Sequence, residues 1–136
     1  MTSRPTLAEE LDLEPHPEGG WYRQTWVSPE NVSLSGGRVR PTATLIYFLL
    51  QAGESSAWHR VSSDEIWLGH VGQVRLQLGG DGDVPAEETE IVVGTTDRLQ
   101  ALVPAGTWQR TVPGTDDALV SCLVSPGFDF DDFELA

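Results

Sequence analysis

Two residues in the stretch GESSAWHRVSSDEIWLGHVG, residues 53 to 72, could do chemistry together. His59 precedes Glu65 by six positions, and Gly53 and Gly72 frame the pair. An imidazole titrates near neutrality unless perturbed, and a nearby carboxylate can orient or charge it. Inside a dry barrel both groups would move toward neutral pKa values. Such a pair can abstract and return a proton beside a carbonyl, with His59 as base and Glu65 assisting. Tyr47, in the run TLIYFLL, is a candidate second proton donor. The same His and Glu could instead satisfy each other as a buried structural pair, or help hold a metal.

A second candidate wall is HPEGGWYRQTW, residues 16 to 26. Gly19 and Gly20 allow a turn or close approach to a ligand. On the strand that follows, Trp21, Arg23 and Thr25 share one side, and Tyr22, Gln24 and Trp26 the other. Arg23 is a candidate two-pronged binder of carboxylate or phosphate, unless it pairs with a surface acid. Trp21 and Trp67 are candidate stacking platforms, although tryptophans more often serve packing. His16 and His70 are read as structural or exposed. Cys122, the single cysteine, lies in an apolar run and is read as a small core residue.

The elements that must position these groups are strands. After a short helix within residues 5–13, with Thr6 and Glu9 at capping-box spacing, the chain alternates and is punctuated by Gly and Pro. Strands are expected at 21–27, 42–50, 56–61 and 65–71, and at 73–79, 88–93, 98–103, 108–112 and 118–124. The segment 31–41 is read as a loop. Many short strands with turn signals indicate an all-β sandwich or barrel. In the tail FDFDDFELA, the phenylalanines Phe128, Phe130 and Phe133 are expected to pack on the body or on a second subunit, and the acids to face solvent.

The chain has 136 residues, enough for one self-sufficient domain over 1–136. Its net charge is −13, with 21 acids against eight basic residues, all Arg. That charge disfavours nucleic acid and anionic membrane surfaces as partners. No run is long enough for a membrane span and no signal-like apolar core opens the chain, so a cytoplasmic location is expected.

Gly53, His59, Glu65 and Gly72 stand at the spacing of the first cupin motif, and PAGTWQ supplies Pro104 and Gly106 of the second. The chain resembles the cupins. It is most similar to a subfamily of small cupins catalogued as a domain of unknown function, through HPEGGWYRQTW, IYFLL, HRVSSDEIW, PAGTWQ and SPGFDFDDFEL in that order. The resemblance implies a double-stranded β-helix, the jelly-roll barrel, with one short N-terminal helix. It also implies a homodimer and a shape like the sugar-nucleotide epimerases. Two metal-ligand positions depart from the motif, for Val61 and Gln109 stand where histidines would. Val61 has no donor atom, and an amide oxygen is a poor ligand for metals that favour imidazole. No cofactor is therefore expected. A divalent metal, if held, would fall to His59, Glu65 and Gln109.

Three functions follow as expectations. The first is a metal-independent isomerase, epimerase, cyclase or dehydratase acting on a polar small molecule, sugar-like or carboxylate-bearing. Its catalytic residues would be His59, Glu65 and Tyr47, with Arg23, Trp21, Gln109 and Trp67 binding substrate. The second is a metal-dependent oxygenase or lyase. The third is a non-catalytic module that binds a small metabolite, using the same residue types.

Overall fold

The structure is a computed structural model that describes residues 4–86 and 89–136. One short helix, α1 (Thr6–Glu10), is followed by β1 (Glu14–Pro15), β2 (Trp21–Val27), β3 (Asn31–Ser33), β4 (Val39–Pro41) and β5 (Thr44–Leu50). Then come β6 (His59–Val61), β7 (Asp64–Val71), β8 (Val74–Leu78), β9 (Thr89–Val93), β10 (Gln100–Val103), β11 (Gln109–Val112), β12 (Ala118–Ser125) and β13 (Phe133–Leu135). Residue 88, at the edge of one expected strand, lies outside the described residues.

Among the described residues one sheet runs β1-β2-β5-β12-β7-β10 and a second runs β13-β6-β11-β8-β9. Their antiparallel ladders face each other as the two halves of a jelly roll. Between them lies a core of Phe48, Leu50, Trp67, Leu76, Val93, Val103, Val120 and Cys122. β5 sits between β2 and β12, covered on both faces, which is why its sequence is almost continuously apolar. Ile46 and Phe48 point inward. Tyr47 and Leu49 point outward, where Leu7 and Ala8 of α1, with Leu11 just after it, lie over Leu49, Leu119, Trp21 and Tyr47.

Three expectations change. The helix is shorter than 5–13, and Pro5 rather than a polar side chain stands at its N-cap, so the Thr6–Glu9 capping box does not form. Pro5 is extended there, with ψ at 156°, which leaves Thr6 already inside the helix. The expected loop at 31–41 contains the small β3–β4 ribbon. In the tail, Asp132 is not a solvated acid: its carboxylate accepts hydrogen bonds from Arg38 and from Arg40, the latter at 2.8 Å. That seam joins the tail to the ribbon, and β13 adds to β6 through Phe133↔Val61 and Leu135↔His59.

Candidate active site

β6 places His59 and Val61 inward, and β7 places Glu65 and Trp67 inward, by the two-residue period of a strand. Gln109 on β11 is the cross-strand neighbour of His59. The Trp67 indole N–H lies 2.9 Å from Gln109 Oε1. An indole nitrogen can only donate, so the amide oxygen must face Trp67 and the amide NH2 must face Glu65. It does, donating to Glu65 Oε1 at 2.8 Å. Cys122 also donates its S–H to Glu65, and burial first, then the Glu65 charge, pushes the thiol well up. It is a core partner of Glu65 and not a nucleophile.

The second carboxylate comes from the N-terminal block. In HPEGG the chain folds on itself: His16 N–H donates to Gly20 O at 2.9 Å and Gly19 N–H to His16 O at 3.0 Å. Gly19 has φ at 114°, and a Cβ there would lie 2.3 Å from Ser55 O, so only glycine fits. Ala57 N–H donates to Glu18 O at 2.8 Å and fixes the turn beside β6. The Glu18 side chain is then buried, with Oε2 2.6 Å from His59 Nε2.

The other nitrogen, His59 Nδ1, lies 2.8 Å from Ala57 O and must donate to that carbonyl. Burial alone would lower the His59 pKa. The charge and hydrogen bond of Glu18, with the charge of Glu65 behind them, overcome it and raise the value to about 9. His59 is therefore an imidazolium at neutral pH, its Nδ1–H donated to Ala57 O and its Nε2 ion-paired with Glu18 Oε2. Glu65 moves up to about 6 because burial opposes its charge, while His59, Gln109 and Cys122 hold it back.

His16 completes the set. The backbone N–H of Glu18 donates to His16 Nδ1 at 3.1 Å, so the ring proton sits on Nε2. Burial lowers the His16 pKa, outweighing Glu18, and the ring is neutral. It packs edge-on to Tyr22, with centroids 4.5 Å apart.

These groups open on one cavity of about 330 Å³. His16, Glu18, His59 and Glu65 form its polar floor. Tyr22, Gln24, Thr44 and Ile46 from β2 and β5 form one wall, and Phe128, Asp129, Phe130 and Phe133 of the tail form the rim. So His59 and Glu65 come together there, with Gln109 and Trp67 behind Glu65 and fully buried. Tyr47, Arg23 and Trp21 lie elsewhere. Arg23 pairs with Tyr47 across β2 and β5 on the outer face, its Nε donating to Leu11 O at 2.8 Å. Strand parity turns Tyr22 and Gln24 inward in their place. His70 also lies on that outer side, its Nε2 2.6 Å from Ser121 Oγ.

The cupin fold raises the question of a metal, and these residues do not fit one. His59 Nε2 is taken by Glu18. The Gln109 oxygen is turned to Trp67, and its NH2, which cannot ligate, faces Glu65. Among the described residues no three His, Cys, Asp or Glu side chains converge to hold an ion.

Two facing antiparallel sheets with a His–Glu site between them define a cupin. The chain belongs to the family described as Cupin superfamily (DUF985), whose model matches residues 5–136. It is similar to a protein of Shewanella oneidensis at 36% identity and TM-score 0.84, covering 100% of this chain and 85% of the other. A hypothetical protein from Leishmania major is 34% identical with TM-score 0.81, covering 95% and 84%. The capsular polysaccharide assembling protein CapF of Staphylococcus aureus shares the fold at 15% identity and TM-score 0.67, over 90% of this chain and 33% of that one. No curated protein matches the chain.

Proposed function

We propose that the cavity carries out metal-independent proton transfer on a small polar metabolite, in a reaction of the isomerase, epimerase, cyclase or dehydratase type. One observation carries the proposal: Glu65 is a buried carboxylate with a pKa of about 6, on the wall of a cavity that also holds a neutral, tautomer-fixed His16. A base poised near neutrality is what abstraction of a proton beside a carbonyl requires. About 330 Å³ suits a ligand of metabolite size.

The roles differ from the first expectation. His59 has no free N–H and no lone pair to offer, so it is a positioning residue that fixes the Glu18 carboxylate and balances buried charge. Glu65 takes the proton from the carbon next to the carbonyl. The electron pair of that C–H bond moves to the carbonyl oxygen, where the N–H at His16 Nε2 can donate a hydrogen bond to the developing charge. On an α-hydroxycarbonyl substrate the Glu65 O–H then gives the proton to the former carbonyl carbon, while the hydroxyl proton of the adjacent carbon passes to the former carbonyl oxygen and leaves a new carbonyl there, completing an isomerisation. In a dehydratase it leaves instead with a β-hydroxyl as water.

The test is deuterium incorporation from D2O into a panel of small α-carbonyl compounds, followed by NMR. Glu65→Gln, folded by circular dichroism, should lose exchange by at least about 100-fold. Undiminished exchange in that variant would remove Glu65 from the base's role.

A further inference from the structure

The charge on the cavity wall is one-sided. Glu18, Glu65 and Asp129 bring three carboxylates to it, and the His59 imidazolium balances one. No Arg lines it, and the chain has no Lys. Of the arginines at the tail, Arg38 and Arg40 are engaged by Asp132 and Arg60 by Glu134, and Arg23 is on the far face of the sheet. A carboxylate or phosphate entering here would meet uncompensated negative charge in a poorly solvated space, which is costly. This argues against the carboxylate-bearing substrate expected from Arg23.

The remainder of the wall is aromatic in an ordered way. The Phe128 and Phe130 rings have centroids 4.8 Å apart at 83°, Phe130 and Phe133 5.8 Å at 76°, and Phe128 and Phe133 6.1 Å at 71°. Three rings at near right angles form a corner, next to Asp129. Phe130 is 48% exposed, so its ring is not used up by core packing. Ring faces are electron-rich and attract cations, alkylated ammonium groups above all.

Phe133 lies stacked on the His59 ring, with centroids 5.6 Å apart at 30°, which leaves Phe128 and Phe130 to face a ligand. We infer that the molecule this cavity accepts is a small organic cation, an alkylated ammonium compound, seated against Phe128 and Phe130 with Glu65 and Asp129 as counter-charges. The inference shares its site with the proton-transfer proposal and names the substrate class for it. A neutral ligand would leave the excess negative charge unbalanced, and an anion would add to it.

The experiment is titration of the full chain at pH 7.5 with three probes: choline, its neutral isostere 3,3-dimethylbutan-1-ol, and acetate. Calorimetry gives affinities, and the His59 and His16 ring resonances report the place of binding. Choline should bind at least about tenfold more tightly than the isostere, acetate should not bind, and Phe130→Leu should weaken choline by about 2- to 30-fold. Glu65→Gln should shrink the preference for choline. Equal affinity for choline and the isostere, tighter binding of acetate, or no choline-induced shift of the two histidines overturns the inference. Failure here and failure of the catalytic proposal look different. Proton exchange on neutral substrates without cation preference would retain the reaction and reject the charge. Cation-selective binding without exchange would do the reverse.

Discussion

The Glu18–His59 pair makes stability depend on pH in a window where few other groups titrate. His59 holds its proton more tightly folded, to about 9, than unfolded, at 6.5. Its stabilisation is complete below pH 6.5 and is lost as pH rises through about 9. The amount is on the order of 3 kcal/mol. Glu65 acts in the same direction but earlier, between 4.5 and about 6, since its folded value is also raised. His16, lowered from 6.5, works oppositely and only below that value. Urea unfolding from pH 6.5 to 9.5 should therefore show falling stability, and His59→Gln should flatten the slope. A flat profile in the native chain would mean that His59 and Glu18 do not share a proton. At this scale the sequence was half legible. His59 and Glu65 stand on consecutive strands, one in each sheet, at a spacing that marks them, whereas Glu18 reaches His59 only through the folded turn at Gly19 and Gly20. The available signal was two polar side chains, His16 and Glu18, directly before a Gly-Gly that permits close approach. For Tyr47, Arg23 and Trp21 the deciding fact is which parity of β2 and β5 faces inward, and a strand apolar on both faces does not disclose it.

Among the elements, the C-terminal tail has most to do with the cavity, because it supplies the rim; Arg60 also holds it through Glu134. β13 pairs only with β6, at one edge of its sheet, and the seam from Asp132 to Arg38 and Arg40 fastens the turn before it. The paired guanidinium of Arg40, first by its hydrogen bond, holds the Asp132 carboxyl below its usual range. Removing the carboxylate in Asp132→Ala should free the segment without disturbing the central strands. Hydrogen exchange of amides in 130–136 should accelerate by at least about tenfold, while β5 and β12 remain protected. Equal protection in both proteins would show that β13 pairing and the phenylalanine corner suffice to hold the rim. The strands themselves were legible because their alternation is strong. The tail's attachment was not, since FDFDDFEL looks like an amphipathic strip and nothing local says that Asp132 faces two arginines 92 and 94 positions away.

For the whole molecule, the question is what covers the outer face of the larger sheet. α1 shields the part around Leu49 and Leu119. Beyond it, the register aligns Leu102, Ile66, Leu123, Leu45 and Trp26 in one row across β10, β7, β12, β5 and β2. The ends of that row are open to solvent, Leu102 by 54% and Trp26 by 46%. Isolated exposed apolar residues are ordinary on a monomer, but a continuous apolar row across five strands marks a contact surface. No helix among the described residues is long and apolar enough to cross a membrane, and a net charge of −13 opposes association with anionic lipid. The same net charge repels a second copy as well, so association must come from apolar area, and this row supplies it with no acid among its five members, Asp64 lying at its border. We propose that the chain forms a homodimer through it, an occupant with the same charge and a matching stripe under two-fold symmetry. Sedimentation of the native protein should give twice the chain mass, and Leu102→Asp, which places a carboxylate in the row from each copy, should give the monomer with its fold intact. A native monomer at micromolar concentration, or a Leu102→Asp dimer, would move the interface elsewhere. The cavity opens on the opposite side of this sheet, beneath the tail, so the monomeric variant should keep its ligand affinity within about twofold, as expected for sites that share no partner.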